Sequence, residues 1–247
     1  MLRSCESHYE LWINRKDERP SVITSKIIED FLTSLDSIKV NKPLVLYAPS
    51  GIAGANIKEM TDMSKREAEA FSAAGINLVK TLLAYEPLVI GVFDRYLLGG
   101  GLEIALACDL TIVTENCKVG FPEVTLGITP GWLGIELCAI KNPALIQELL
   151  FLGKIIEAKQ SYAYSLFNSV CQNWQAIQDE LAKMIDQLER CSYAAVASAK
   201  RQYWRFLNVD NLSESAKTFS SLFEEKDQIE GMKAYLEKRK ASFLQHK

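Results

Sequence analysis

Leu97-Leu98-Gly99-Gly100-Gly101-Leu102-Glu103-Ile104-Ala105-Leu106-Ala107-Cys108-Asp109 decides how this chain is read. Three glycines leave an apolar strand and open an apolar helix that carries a single carboxylate, Glu103. Without a Cβ, glycine lets backbone approach a ligand closely. The first amides of a helix have no acceptor within it and point outward as donors. Gly100 and Glu103 are three residues apart and share one helical face. A bare N–H and an acid/base group therefore look into the same space, which suits stabilising an oxyanion beside a proton transfer. Two plainer readings exist for this stretch. One is a tight strand-to-helix connection with no ligand. The other is a dinucleotide fingerprint, which fails because Ile104 stands where its third glycine or alanine belongs.

Composition narrows the function classes. The chain has 247 residues, 48% of them hydrophobic and 24% charged, enough for one sizeable core. A formal net charge of -3 gives no bulk attraction to nucleic acid. No apolar run approaches the roughly 18 residues of a membrane span, and Met1-Leu2-Arg3-Ser4-Cys5-Glu6 lacks the apolar stretch of a secretory signal. Six cysteines, Cys5, Cys108, Cys117, Cys138, Cys171 and Cys191, show no C-x-x-C spacing and read as reduced thiols of a cytoplasmic protein. The two histidines, His8 and His246, lie near the ends of the chain. Histidine-based triads and H-E-x-x-H zinc sites are therefore not expected, and no metal is predicted. Carboxylates and backbone amides are left to do the chemistry.

Eight of the 13 glycines fall between Gly91 and Gly134, and no proline follows Pro143. The middle of the chain is thus rich in turns and close approaches, and the last hundred residues are predicted to be mostly helical. Strands are expected at 9–14, 44–47, 88–93 and 110–113, with a short one near Ser169-Val170. An amphipathic helix is expected over 21–38, and the capping box Ser64-Lys65-Arg66-Glu67 opens another to about Ala84. Further helices are expected at 143–151, 157–164, 174–190, 192–207, 211–225 and 227–243. Strands alternating with helices favour parallel pairing in an α/β class. Residues 1–190 read as the mixed core and 191–247 as a helical region.

Four segments, in order, carry a family resemblance. They are Ile52-Ala53-Gly54-Ala55-Asn56-Ile57-Lys58-Glu59-Met60, Leu98-Gly99-Gly100-Gly101-Leu102-Glu103, Pro122-Glu123-Val124-Thr125-Leu126-Gly127-Ile128-Thr129-Pro130-Gly131, and Asp227-Gln228-Ile229-Glu230-Gly231-Met232-Lys233-Ala234-Tyr235-Leu236-Glu237-Lys238-Arg239. Over roughly residues 10–243 the chain resembles the enoyl-CoA hydratase/isomerase (crotonase) superfamily. The resemblance implies a crotonase-like spiral of ββα units. A C-terminal helical region would build trimers, often paired into hexamers. Acyl thioesters of coenzyme A, or of a carrier-borne phosphopantetheine, are the implied substrates. No separate cofactor is implied, because coenzyme A belongs to the substrate.

By that resemblance the oxyanion donors fall on the backbone N–H groups of Ala55 and Gly100. The two catalytic glutamates fall on Glu103, as base on water, and Glu123, as acid toward C2. The Gly131 amide would help hold the water. Ala53, Gly54, Asn56, Ile57 and Lys58 would bind substrate, and Tyr235 and Lys238 would reach the coenzyme. The last 22 residues, from Lys226, carry six Lys/Arg against three Asp/Glu, which suits phosphate. The implied reaction is hydration of a 2-enoyl thioester. Double-bond isomerisation, thioester decarboxylation and acyl-CoA binding without turnover are same-fold alternatives. The chain departs from the family pattern at Asn56, where an acid is commonest, at Asp94-Arg95 ahead of the glycine turn, and at Ser21-Val22-Ile23. It departs again at Trp132, in a normally small, glycine-rich continuation, where the side chain is expected to fill part of the acyl pocket.

Overall fold

The computed structural model describes residues 1–16, 18–39, 42–139, 143–161, 166–204 and 212–243. A hairpin, β1 (Leu2–Ser4) and β2 (Tyr9–Trp12), is followed by β3 (Ser21–Ile23) and α1 (Ser25–Asp36). Two strands and a helix then recur. The first repeat is β4 (Leu44–Ala48), β5 (Ile52–Ala55), α2 (Ile57–Thr61) and α3 (Lys65–Ala84). The second is β6 (Val89–Phe93), β7 (Tyr96–Leu98) and α4 (Gly100–Leu106). The third is β8 (Leu110–Thr114), β9 (Lys118–Gly120), a 3-10 turn (Pro122–Leu126) and α5 (Gly134–Ala139). There follow α6 (Pro143–Phe151), β10 (Ile155–Glu157), α7 (Ala158–Ser161), β11 (Ser169–Cys171), α8 (Trp174–Glu189), α9 (Tyr193–Trp204), α10 (Leu212–Ser221) and α11 (Lys226–Leu236).

The first strand of each repeat joins one sheet and the second joins another. The six-stranded sheet runs β1-β2-β4-β6-β8-β11 and the five-stranded sheet β10-β9-β7-β5-β3. Only the β1–β2 and β9–β10 pairs are antiparallel among the described residues. The chain therefore winds as a spiral of ββα units, the architecture that the resemblance implies. Every residue of β4 and β6 is buried. Val45, Tyr47, Ile90, Val92 and Ile112 pack under Ile177 and Leu181 of α8, while Leu44, Leu46, Val89 and Phe93 face the main core. Burial on both faces is why these strands read as continuous apolar runs rather than alternating ones.

Several expected elements have different bounds: the strand expected at 9–14 ends at Trp12, the α-helix expected to reach 225 ends at Ser221, and two differ more. The helix expected over 21–38 starts at Ser25, because Thr24 caps it: its hydroxyl accepts from the Ile27 N–H at 3.2 Å. Ser21–Ile23 instead pair in parallel with β5. The helix expected over 227–243 ends at Leu236. Lys238 takes a left-handed backbone (φ 54), and the Lys238 and Arg239 N–H groups donate back to Tyr235 and Ala234 in a Schellman closure. Arg239 then returns to Glu230 with two guanidinium hydrogen bonds, at 2.7 and 2.9 Å. The ends expected at 164, 207 and 211 lie outside the described residues.

One buried ion pair fastens α9 to the spiral. The Lys200 ammonium donates to Asp109 Oδ2 at 2.6 Å and to the carbonyls of Tyr85, Pro87 and Leu82 at 2.7, 3.2 and 3.4 Å. Asp109 also accepts from Trp204 Nε1 and the Val89 N–H, each at 2.7 Å. No helix among the described residues is long and apolar enough to cross a membrane.

Candidate active site

The second strand of each repeat is short, and the backbone leaving it bends toward one cavity. Residues from the ends of β5 and β7, the 3-10 turn, α2, α3 and α10 enclose about 450 Å³ of empty space there, part of it open to solvent. Ala53, Gly54, Ala55, Ile57, Gly100, Glu103, Glu123 and Gly131 all line it. The sequence places these residues as much as 78 positions apart, and the spiral winding brings them to one wall.

Gly99 sits between β7 and α4 with φ 50 and ψ -125, a backbone that residues with a Cβ rarely adopt. A Cβ there would lie 2.6 Å from Glu123 Oε1, so a glycine at this position is what admits the Glu123 carboxylate. Gly100 is the first residue of α4, so its N–H has no acceptor inside the helix, and the residue lines the cavity.

Both glutamates are buried, at 2% exposure for Glu103 and 7% for Glu123, yet their surroundings differ. Glu103 Oε1 accepts from the Trp132 and Gly134 N–H groups, each at 2.7 Å. Between those two donors Leu133 takes a left-handed backbone (φ 76), which turns both N–H groups onto one oxygen, in the manner of an anion-binding nest. Burial pushes the Glu103 carboxyl up to about 7, while these amides, and that of Gly131, pull it back down. Burial, and next the charge of Glu103, hold the Glu123 carboxyl well above the usual range. Its Oε2 has no hydrogen-bond partner among the described residues. One carboxyl is thus held ready to ionise and its neighbour is held protonated, the separation that an acid/base pair needs.

The 3-10 turn that carries Glu123 is seated from outside. Added Cβ atoms on Gly231 and Gly127 would lie 2.5 Å from the Leu126 backbone and 2.4 Å from that of Asp227, so α11 lies directly on the turn. Ser72 of α3 donates to the Gly131 carbonyl at 2.6 Å and holds the Pro130-Gly131 corner.

Four expected binding residues do not line the cavity. The Asn56 side chain caps α2, accepting from the Lys58 and Glu59 N–H groups at 3.1 and 3.4 Å. An asparagine does this capping as well as the commoner acid does. Lys58 and Tyr235 are exposed on α2 and α11, which pack together, and Lys238 is exposed just beyond α11. Met60, Phe71, Ile128 and Phe219 line the cavity without having been picked out from the sequence. Each is an apolar residue in an amphipathic or turn segment, a pattern that core packing produces equally well.

Comparison with known proteins gives the family. The enoyl-CoA hydratase/isomerase family pattern matches residues 14–246. The chain is 32% identical over 243 residues to a crotonyl-CoA hydratase of Syntrophomonas wolfei, covering 95% of this chain and 93% of that protein. It is 31% identical over 195 residues to a short-chain-enoyl-CoA hydratase of Clostridium acetobutylicum, covering 77% and 74%. In fold it is similar to an enoyl-CoA hydratase from Bacillus halodurans, with a TM-score of 0.85 at 15% identity over 95% of this chain and 98% of that one. A methylmalonyl-CoA decarboxylase solved with 2-nitronate-propionyl-CoA gives the same TM-score, 0.85, at 20% identity over 100% and 98%. With its spiral of ββα units, its glycine turn and its sequence match over nearly the whole length, the chain belongs to the enoyl-CoA hydratase/isomerase family.

Proposed function

We propose that this protein is an enoyl-CoA hydratase, adding water across the double bond of a 2-enoyl thioester. The observation that carries the reading is the pair of buried carboxyls, Glu103 and Glu123, in one cavity with Gly100 at the start of α4. The thioester carbonyl accepts from the N–H groups of Ala55 and Gly100. Charge builds on that oxygen as the enolate forms, so these fixed donors act most strongly in the transition state. Ionised Glu103 takes a proton from water as the oxygen bonds to C3. Glu123 gives its proton to C2. The hydroxyl ends on C3 and the Glu123 proton on C2, and transfer of the water's proton from Glu103 to Glu123 restores both carboxyls before the next turnover. An isomerase needs one carboxyl only, so the retention of both favours hydration.

The coenzyme itself belongs to the substrate, and no further cofactor enters this scheme. Lys58, Tyr235 and Lys238, exposed on neighbouring segments, receive its nucleotide and phosphate end at the rim. The enzyme works in the cytoplasm.

Hydration of crotonyl-CoA, followed as loss of enoyl absorbance, tests the reading. The rate should depend on pH in a defined way. Glu103 must be ionised, so kcat/KM rises through an apparent value near 7. Glu123 must be protonated, so the rate falls again only at higher pH, where that carboxyl ionises. A rate that falls monotonically from pH 5 to pH 9 contradicts these roles.

The C-terminal helices also support assembly into a trimer or hexamer. Tyr193 and Tyr203 of α9 and Ile229, Tyr235 and Leu236 of α11 are exposed, Tyr235 by 60%. Apolar side chains gathered on the terminal helices fit a subunit interface better than a solvated surface. Light scattering at micromolar concentration is expected to give at least three times the 27.7 kDa chain mass. A monomer there excludes the assembly.

A further inference from the structure

The Trp132 indole occupies a slot that two glycines make. A Cβ on Gly75 of α3 would lie 2.2 Å from the indole, and one on Gly100 of α4 would lie 2.5 Å from it. Any side chain at either position would collide with the ring. On a third side the indole meets the Phe71 ring, with centroids 5.5 Å apart and planes tilted by 54°. Trp132 is 2% exposed and yet lines the cavity. Its own N–H donates to Glu103, so the backbone that carries the indole is pinned as well. The ring is therefore a wall of the cavity, held on its other sides by Gly75, Gly100 and Phe71. Met60, Leu126, Ile128 and Phe219 complete an apolar lining around the same space.

From this we infer that Trp132 is the specificity-determining residue of the site and closes its acyl end. The substrates are short, uncharged 2-enoyl thioesters, and longer chains are rejected. The inference rests on the hydratase reading for its chemistry, but its geometric content concerns binding alone. An acyl chain that lies against the carboxyls has Gly100 beside its carbonyl, and the indole lies against that same glycine. Each added methylene must therefore displace the ring or leave the cavity. In a hydrophobic pocket a single misfitting methylene is worth roughly 10- to 200-fold in discrimination.

The test is a chain-length series on wild type, Trp132→Ala and Trp132→Phe, read in two ways. Affinity for butyryl-, octanoyl- and decanoyl-CoA is measured by titration calorimetry. Turnover is measured on the corresponding 2-enoyl-CoA series. In wild type, kcat/KM for the ten-carbon substrate is expected at least about 100-fold below that for the four-carbon one. Decanoyl-CoA is expected to bind no more tightly than butyryl-CoA. Trp132→Ala is expected to raise the ten-carbon to four-carbon ratio by about 10- to 100-fold in both measurements, with Trp132→Phe between. The phenylalanine variant keeps an aromatic in the slot and guards against loss of folding in the alanine variant. Equal affinity gains per methylene in wild type and Trp132→Ala overturn the inference. If wild type turns over no substrate while the affinities still show the cutoff, the hydratase reading fails and the wall stands.

Discussion

Glu123→Ala is expected to lower kcat for crotonyl-CoA hydration by about 10²- to 10⁴-fold, and Glu103→Ala by a similar factor, with little change in KM. Neither side chain is assigned a grip on the coenzyme, so binding survives while proton transfer is lost. In the proposed reaction the two carboxyls act on one water and one double bond, so the double variant should be little worse than either single one. Equal, background-level rates in wild type and both variants would refute hydration at this site. A companion effect separates chemistry from folding. The folded-state value of Glu103, about 7, lies above that of an unfolded glutamate, so the stability that goes with the protonated, buried form is lost as pH rises through 7. Glu103→Gln keeps an oxygen for the Trp132 and Gly134 amides and carries no charge. It should therefore be inactive but more stable than wild type at pH 8, with the difference gone at pH 4. Urea unfolding at the two pH values measures this.

Lys200→Met is expected to destabilise the fold by about 3–5 kcal/mol, the usual cost of leaving one charge of a buried pair alone. The lost ammonium would strand the Asp109 carboxylate with only the Trp204 and Val89 donors, and would leave three carbonyls, those of Leu82, Tyr85 and Pro87, short of one donor. Adding Asp109→Asn removes the stranded charge but keeps an oxygen acceptor, so the double variant should recover part of the loss. Urea midpoints for the two variants and wild type decide it. A loss under about 1 kcal/mol for Lys200→Met would mean that α9 is held by apolar packing and not by this pair.

The elements that stood out in the sequence are those whose own residues specify them. Leu44-Val45-Leu46-Tyr47 and Val89–Phe93 are apolar throughout, because both faces of the central sheet are covered. The capping box at Ser64 and Glu67 marks the start of α3, and both of its reciprocal bonds form. The second sheet was nearly invisible. The strands β3, β5, β9 and β10 have no counterpart among the expected strands, and β7 showed only as two leucines before the glycine turn. Each has three or four residues, too few for a period to emerge, and β5 and β9 contain glycine. Pairing with neighbours distant in the chain, such as Tyr96 with Lys118 or Ile23 with Ala55, is what makes them strands.

The site divides along the same line. The sequence by itself singled out the candidate groups: with only His8 and His246 present an imidazole-based site is not expected, and the glycine turn with its carboxylate three residues on suits backbone close to a reacting group. Local covalent identity is enough for that. Only the tertiary structure decided that Glu123 comes to rest against Gly99, that a left-handed Leu133 aims two amides at Glu103, and that Trp132 fills a slot between Gly75 and Gly100. Each of these is a contact between segments from different turns of the spiral. Its energy depends on distances of a few ångströms that no stretch of neighbouring residues encodes.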